Sequence, residues 1–204
     1  NKAAKSFILG GRTSRLDLHV ELGCFYTRPG SGYTHVLDYE TGAFRRAGLV
    51  DVEKAVRVID ALENISFCST HLLPSYVHEE LSDALAVKTA LSNTDKHVFF
   101  SPLTYEGFRK CIDMGLAVVG DLETFKKRPL VSFIASITSP LKLNAQVVNQ
   151  LFDCAEFKIP VVIVSSPILG GTAPVTLSGS LVLQNAEDLA MNALIQLIDP
   201  NTPV

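Results

Sequence analysis

Four short apolar runs, each followed by a polar turn and then a helical pattern, constrain this chain more than any other feature. The runs begin near residues 65, 97, 130 and 160. A spacing of roughly thirty residues is that of parallel βα repeats, in which every strand needs a crossover helix to return the chain to the same end. The last unit is the clearest. Ile159 to Val164 is apolar and rich in β-branched residues, which suits a strand buried on both faces. Ser165 to Thr172 then turns polar and glycine-rich. Pro174 sits where a helix can begin, with Thr172 upstream as a cap. An apolar helical pattern runs to about Ile198, Asp199-Pro200-Asn201 stops it, and Pro203-Val204 reads as the start of another strand.

The earlier units follow the same grammar. Asp51 to Glu63 is an amphipathic helix carrying Val52, Ala55, Val56, Ile59 and Leu62 on one face. Ile65 to Ser69 is a strand ending in Ser69-Thr70-His71, and Val77 to Leu91 is a helix broken by Asn93-Thr94-Asp95. His97 to Phe100 is a strand ending at Ser101-Pro102. Tyr105 to Met114 is a helix closed by Gly115, and Gly120 to Lys127 is a short helical excursion. Leu130 to Ala135 is a strand ending at Ser136-Ile137-Thr138-Ser139-Pro140. The helix Ala145 to Phe157 turns Val147, Val148, Leu151, Phe152 and Ala155 inward. Residues 1–50 differ: Leu16 to Phe25 alternates apolar and polar, Arg28 to Gly32 is a turn cluster, and Tyr33 to Leu37 is a second strand. They form a β-hairpin lead-in that caps the larger domain of residues 51–204.

This order predicts an α/β fold, a TIM (β/α)8 barrel of which the chain holds roughly the first half, four βα units. A doubly wound nucleotide-binding sheet needs glycines after its first strand, and Ser69-Thr70-His71-Leu72 has none. Four strands leave open apolar edges, so the chain is expected to be a fragment of a longer polypeptide. It opens on Asn1-Lys2, shows no signal peptide and is expected to be cytoplasmic. With 47% hydrophobic residues it has material for a sizeable core, and a net charge of −3 gives no electrostatic reason to expect nucleic acid as partner. The uncharged run from Ile159 to Ala186 is broken by Pro160, Pro167 and Pro174, which argues against a membrane span. Cys24, Cys68, Cys111 and Cys154 lie far apart, as reduced thiols rather than a metal cluster.

In barrels the loops after the strands build the active site. That rule makes Ser136, Thr138 and Ser139 pocket candidates after the third strand, and Ser165, Ser166, Gly170, Gly171 and Thr172 after the fourth. His71 follows the first. Each has a plainer reading as a cap, a tight turn or a structural histidine. Arg12, Arg15 and Arg28 could meet a carboxylate or simply face solvent. There is no Ser-His-Asp set and no metal-spaced histidines, and no residue takes a catalytic role from the sequence.

The stretch Ile159-Pro160-Val161-Val162, through Gly170-Gly171-Thr172-Ala173-Pro174-Val175-Thr176-Leu177, to Gln184-Asn185-Ala186-Glu187 resembles the trimethylamine methyltransferase family. So do Thr138-Ser139-Pro140-Leu141, His35-Val36-Leu37-Asp38 with Glu40-Thr41-Gly42, and Asp51-Val52 with Asp60-Ala61-Leu62-Glu63-Asn64-Ile65, all in the same order. The resemblance implies a barrel enzyme that moves a methyl group from a tertiary or quaternary amine (trimethylamine, glycine betaine or a similar betaine) to cobalt. That cobalt belongs to a corrinoid (cobalamin) carried by a cognate corrinoid protein, with none bound tightly by this segment. It also implies a place in one-carbon metabolism such as methanogenesis, and a homo-oligomer is expected. The pyrrolysine of some members would lie beyond Val204. Such chemistry asks mainly for positioning. Phe99, Phe100, Tyr105 and Phe133 are either aromatic faces for the cation or ordinary core. The competing readings are a TIM-barrel lyase or aldolase acting on a phosphorylated small molecule, and a non-catalytic fragment.

Overall fold

The structure, a computed structural model, describes residues 4–70 and 72–204, with only the backbone of 79 and 80. It divides into two units, one of residues 6–132 and one built on residues 133–204.

The first unit opens with two small antiparallel ribbons. Strand β1 (Ser6–Leu9) pairs with β2 (Leu18–Glu21), and β3 (His35–Leu37) pairs with β4 (Phe44–Arg46). The alternating stretch expected as one strand from Leu16 to Phe25 is therefore shorter. A 3-10 turn occupies Ser14–Leu16, because the Asp17 carboxylate accepts the Gly11 N–H at 3.0 Å and holds the chain in a bend. The βα alternation then begins: α1 (Leu49–Ala61), β5 (Cys68–Ser69), α2 (Glu79–Asn93), β6 (Val98–Phe100), α3 (Tyr105–Val119) and α4 (Leu122–Lys127). Helix α1 starts two residues earlier than its periodicity suggests, where Asp51 accepts the Gly48 N–H at 2.8 Å. Strand β5 is only two residues long because Ser66 and Phe67 give their N–H groups to Thr27 instead of to a ladder.

Gly115 does not close α3. The helix continues to Val119, and Gly120, at φ 95°, ends it. Gly115 is where the helix packs closest: a Cβ there would lie 3.0 Å from Phe125 and from Val131.

Strand β7 (Val131–Ile137) begins in the first unit and ends in the second, which continues with α5 (Ala145–Phe157), β8 (Val161–Ser165) and α6 (Leu177–Ile198). Strands β5 to β8 form one four-stranded sheet in sequence order, with β5–β6 and β7–β8 parallel. This parallel sheet alternating with helices is the expected architecture, consistent with half of a (β/α)8 barrel. On α5 the inward face is centred on Leu151 and Cys154, and Phe152, expected inside, is 56% exposed, one step of about 100° around the helix. Helix α6 is capped by Thr176, whose hydroxyl accepts the Gly179 N–H at 3.2 Å; Thr172 is used otherwise. After α6 the Pro203 carbonyl accepts the Val161 N–H at 2.9 Å, alongside the start of β8. Among the described residues no helix is long and apolar enough to cross a membrane.

Candidate functional site

The ends of β7 and β8, with the loops that follow them, bring most of the expected pocket residues together within the second unit. The register sorts them onto two faces. Ile137 sits opposite Ser165, and Ser136 opposite Val164. Ser165 meets the side chain of Glu187 on α6, so its face is the helix-covered one. Ser136 therefore points to the other face, and it is exposed although its neighbours Ala135 and Ile137 are buried. Thr138 and Ser166, one step beyond these strand ends, are exposed as well. Small hydroxyl side chains thus line the open side of the strand tips.

The loop after β7 is short and closed. Thr138 and Lys142 exchange both backbone hydrogen bonds at 3.0 Å, enclosing a cis Ser139–Pro140 peptide and Leu141 at φ 56°. A non-glycine residue in that left-handed region costs about 1–2 kcal/mol and persists only where its surroundings hold it. Glu187 is what holds it. Its carboxylate accepts the Leu141 N–H at 2.8 Å, the Ser139 hydroxyl at 2.8 Å and the Ser165 hydroxyl. One side chain thus ties the tip loop of β7 to the last residue of β8.

Glu187 is only 2% exposed. Burial alone would raise its pKa, but the hydrogen bonds from Ser165, the Leu141 N–H and Ser139 outweigh that and hold the carboxyl below its usual range. The group is an anion at neutral pH whose three hydrogen-bond donors are all uncharged. Asp188 beside it behaves oppositely: burial, then the Glu187 charge, pushes its pKa up. One Asp188 oxygen is buried without a hydrogen-bond partner among the described residues.

The loop from β8 to α6 is bonded to itself. Thr172 accepts the Ile168 N–H at 2.9 Å, Gly170 donates to Ala173 at 3.0 Å, and Ala173 and Gly171 donate to Ile168 at 3.0 and 2.9 Å. Gly170 needs its glycine for a φ of 74°, whereas a Cβ on Gly171 would meet only Ile168 at ordinary contact distance. With its polar groups turned inward, this loop leaves Ile168, Leu169 and Val175 exposed.

The other expected residues stand elsewhere. His71 lies outside the described residues. Phe99, Phe100 and Phe133 are core, each 2% exposed or less, and Tyr105 packs near Phe108 with ring centres 6.3 Å apart. Arg12 pairs with Asp95 at 3.1 Å, and Arg28 donates to its neighbour Pro29 at 3.1 Å; Arg15 is exposed. Among the described residues no three His, Cys, Asp or Glu side chains are placed to hold a metal ion. Cys68, Cys111 and Cys154 are buried, and burial raises the pKa of each. The residue that sequence reasoning missed is Glu187. Its signal was present: apart from Asp188 it is the only charge on a helix of 22 residues.

Residues 1–204 match the family described as trimethylamine methyltransferase (MTTB). The chain is 31% identical to trimethylamine methyltransferase MttB of Methanosarcina barkeri, over 99% of its own length and 42% of that protein. It is 28% identical to the protein of that name from Desulfitobacterium hafniense, over 99% of the chain and 41% of the relative. A glycine betaine methyltransferase of the same species is 31% identical over 86% of the chain and 37% of its own length. The chain thus spans about two-fifths of the length of the curated relatives it matches.

Proposed function

Because the chain belongs to the trimethylamine methyltransferase family, we propose that the protein containing it takes a methyl group from a tertiary or quaternary amine and passes it to the cobalt of a corrinoid carried by a partner protein. The match along the whole chain carries this reading, and relatives named for trimethylamine and for glycine betaine bracket the donors.

The chemistry asks little of acids and bases. A quaternary ammonium has no proton on nitrogen to remove. With a quaternary ammonium, or a tertiary amine carrying a proton on nitrogen, the corrinoid acceptor would supply the nucleophile and the donor would leave as a neutral amine with the electron pair of the broken C–N bond. The protein's task is to hold a cation, aim one methyl carbon outward and keep competing water away.

The strand tips fit that task. Ser136, Thr138 and Ser166 are small and uncharged on the open face, which leaves room for a flat macrocycle to approach. The buried Glu187 anion places negative charge behind the tips, and among the described residues its bonds come from the neutral Ser139, Leu141 and Ser165. A field of that sign favours a cationic donor over a neutral one. The exposed apolar Ile168, Leu169 and Val175 beside the tips suit contact with a partner surface.

The test uses the full-length protein with cob(I)alamin and a panel that includes trimethylamine and glycine betaine. Conversion of the Co(I) spectrum to that of methyl-Co(III) with one member of the panel is expected. No conversion with any methylated amine overturns the proposal.

A further inference from the structure

We propose that Glu187 is a positioning residue for the methyl donor, acting through Ser139, Leu141 and Ser165 to fix the two strand tips whose neighbouring residues Ser136, Thr138 and Ser166 face the open side. This role rests on the amine methyltransferase reading above.

Three observations converge on it. Glu187 lies on α6, the helix of one βα unit, yet two of its three bonds reach the loop of the preceding unit. It is therefore the side chain that sets the height of one tip against the other. Its bond to the Leu141 N–H falls on the residue with φ 56°, so the loop shape and the carboxylate depend on each other. And the residues it grips flank the exposed ones in sequence: Ser139 follows Thr138, and Ser165 precedes Ser166. Any slack in the grip moves the open face directly. Errors of about 1 Å at such a surface are enough to lose about a hundredfold in rate or binding.

Glu187 does not touch the donor, since it lies on the helix side of the sheet. A charge buried solely for stability would give a different result from one that aims a substrate surface, and the experiment separates them. In the full-length protein, Glu187→Ala removes all three acceptor contacts, while Glu187→Gln keeps the length and one acceptor oxygen. Kinetics are read with the turned-over amine below the melting temperature of each variant, and amide hydrogen exchange is read at Leu141. Expected are faster exchange at Leu141 and a rise in KM of about tenfold or more for Glu187→Ala, with kcat changed less; Glu187→Gln restores the slow exchange at Leu141 and part of the KM, the remainder reporting the lost negative charge. A folded Glu187→Ala protein with the wild-type KM overturns the role. If that variant does not fold, Ser139→Ala removes one donor and leaves the carboxylate two; unchanged KM and unchanged exchange at Leu141 then overturn it. Wild-type protein that transfers no methyl group overturns the reaction itself and this role with it, a result read before any variant is compared.

Discussion

His97 places its Nε2 2.6 Å from the Ser132 hydroxyl while its Nδ1 lies 3.1 Å from the Gly10 carbonyl. A carbonyl can only accept, so Nδ1 carries the proton and Nε2 accepts from Ser132. The ring is neutral and fully enclosed. Burial pushes its pKa down to about 4, against the pull of the Gly10 and Pro129 carbonyls. The consequence for stability has a definite sign. Between the ordinary histidine value and pH 4 the unfolded chain binds a proton that the folded one refuses, so stability falls as pH falls through that window, by up to about 3 kcal/mol. Denaturant midpoints measured from pH 7 to pH 4 check this, and His97→Asn should flatten the slope.

Asp17 and Arg128 anchor the lead-in ribbon. The Arg128 Nε lies 2.8 and 2.7 Å from the two Asp17 oxygens, and its Nη2 lies 2.6 Å from one of them. Burial raises the Asp17 pKa, but the Arg128 hydrogen bond, the Gly11 N–H and the guanidinium charge more than reverse that. Removing the carboxylate strands a largely covered cation. Asp17→Ala should cost about 2–3 kcal/mol in chemical denaturation. The wild-type contribution is present above the ordinary aspartate pKa and is lost as pH falls through the lowered folded value.

Gly170 and Gly171 should respond differently to alanine. At Gly170 a Cβ is strained by the backbone, so Gly170→Ala should lower stability by about 1 kcal/mol. At Gly171 the nearest atom to an added Cβ is Ile168 Cγ2 at 3.4 Å, so stability should stay nearly unchanged. A loss of methyl transfer in Gly171→Ala with an unchanged melting temperature would mark that position as a ligand-facing one.

Ser136 is exposed on a strand otherwise buried, so a larger side chain there extends toward the open face. Ser136→Phe should leave the denaturation midpoint within about 0.5 kcal/mol while lowering kcat/KM about tenfold or more. Steady-state kinetics beside denaturant titration distinguish this from a folding defect.

The parallel alternation was legible because β6, β7 and β8 are β-branched or aromatic runs bounded by polar residues or Pro, and α1, α3 and α5 keep an apolar period. Boundaries were less so where tertiary bonds override local signals. Gly115 reads as a stop but is a packing site under Phe125 and Val131, and Ser66 leaves its ladder for Thr27. The candidate site was legible only as a set of loops. Ser139 and Ser165 look like Ser136 and Ser166 in sequence, yet strand alternation and the reach of Glu187 turn the first pair toward the helices. Pairwise geometry between residues 48 apart is not encoded in local pattern.

Methyl transfer from amine to cobalt is tested by the fate of a labelled methyl group. The full-length protein is incubated with cob(I)alamin and glycine betaine or trimethylamine carrying 13C-methyl groups, and the products are read by NMR. One 13C-methyl on cobalt is expected for each molecule of amine that has lost one methyl. Label that stays entirely on nitrogen, with wild-type protein folded and cob(I)alamin intact, would contradict it.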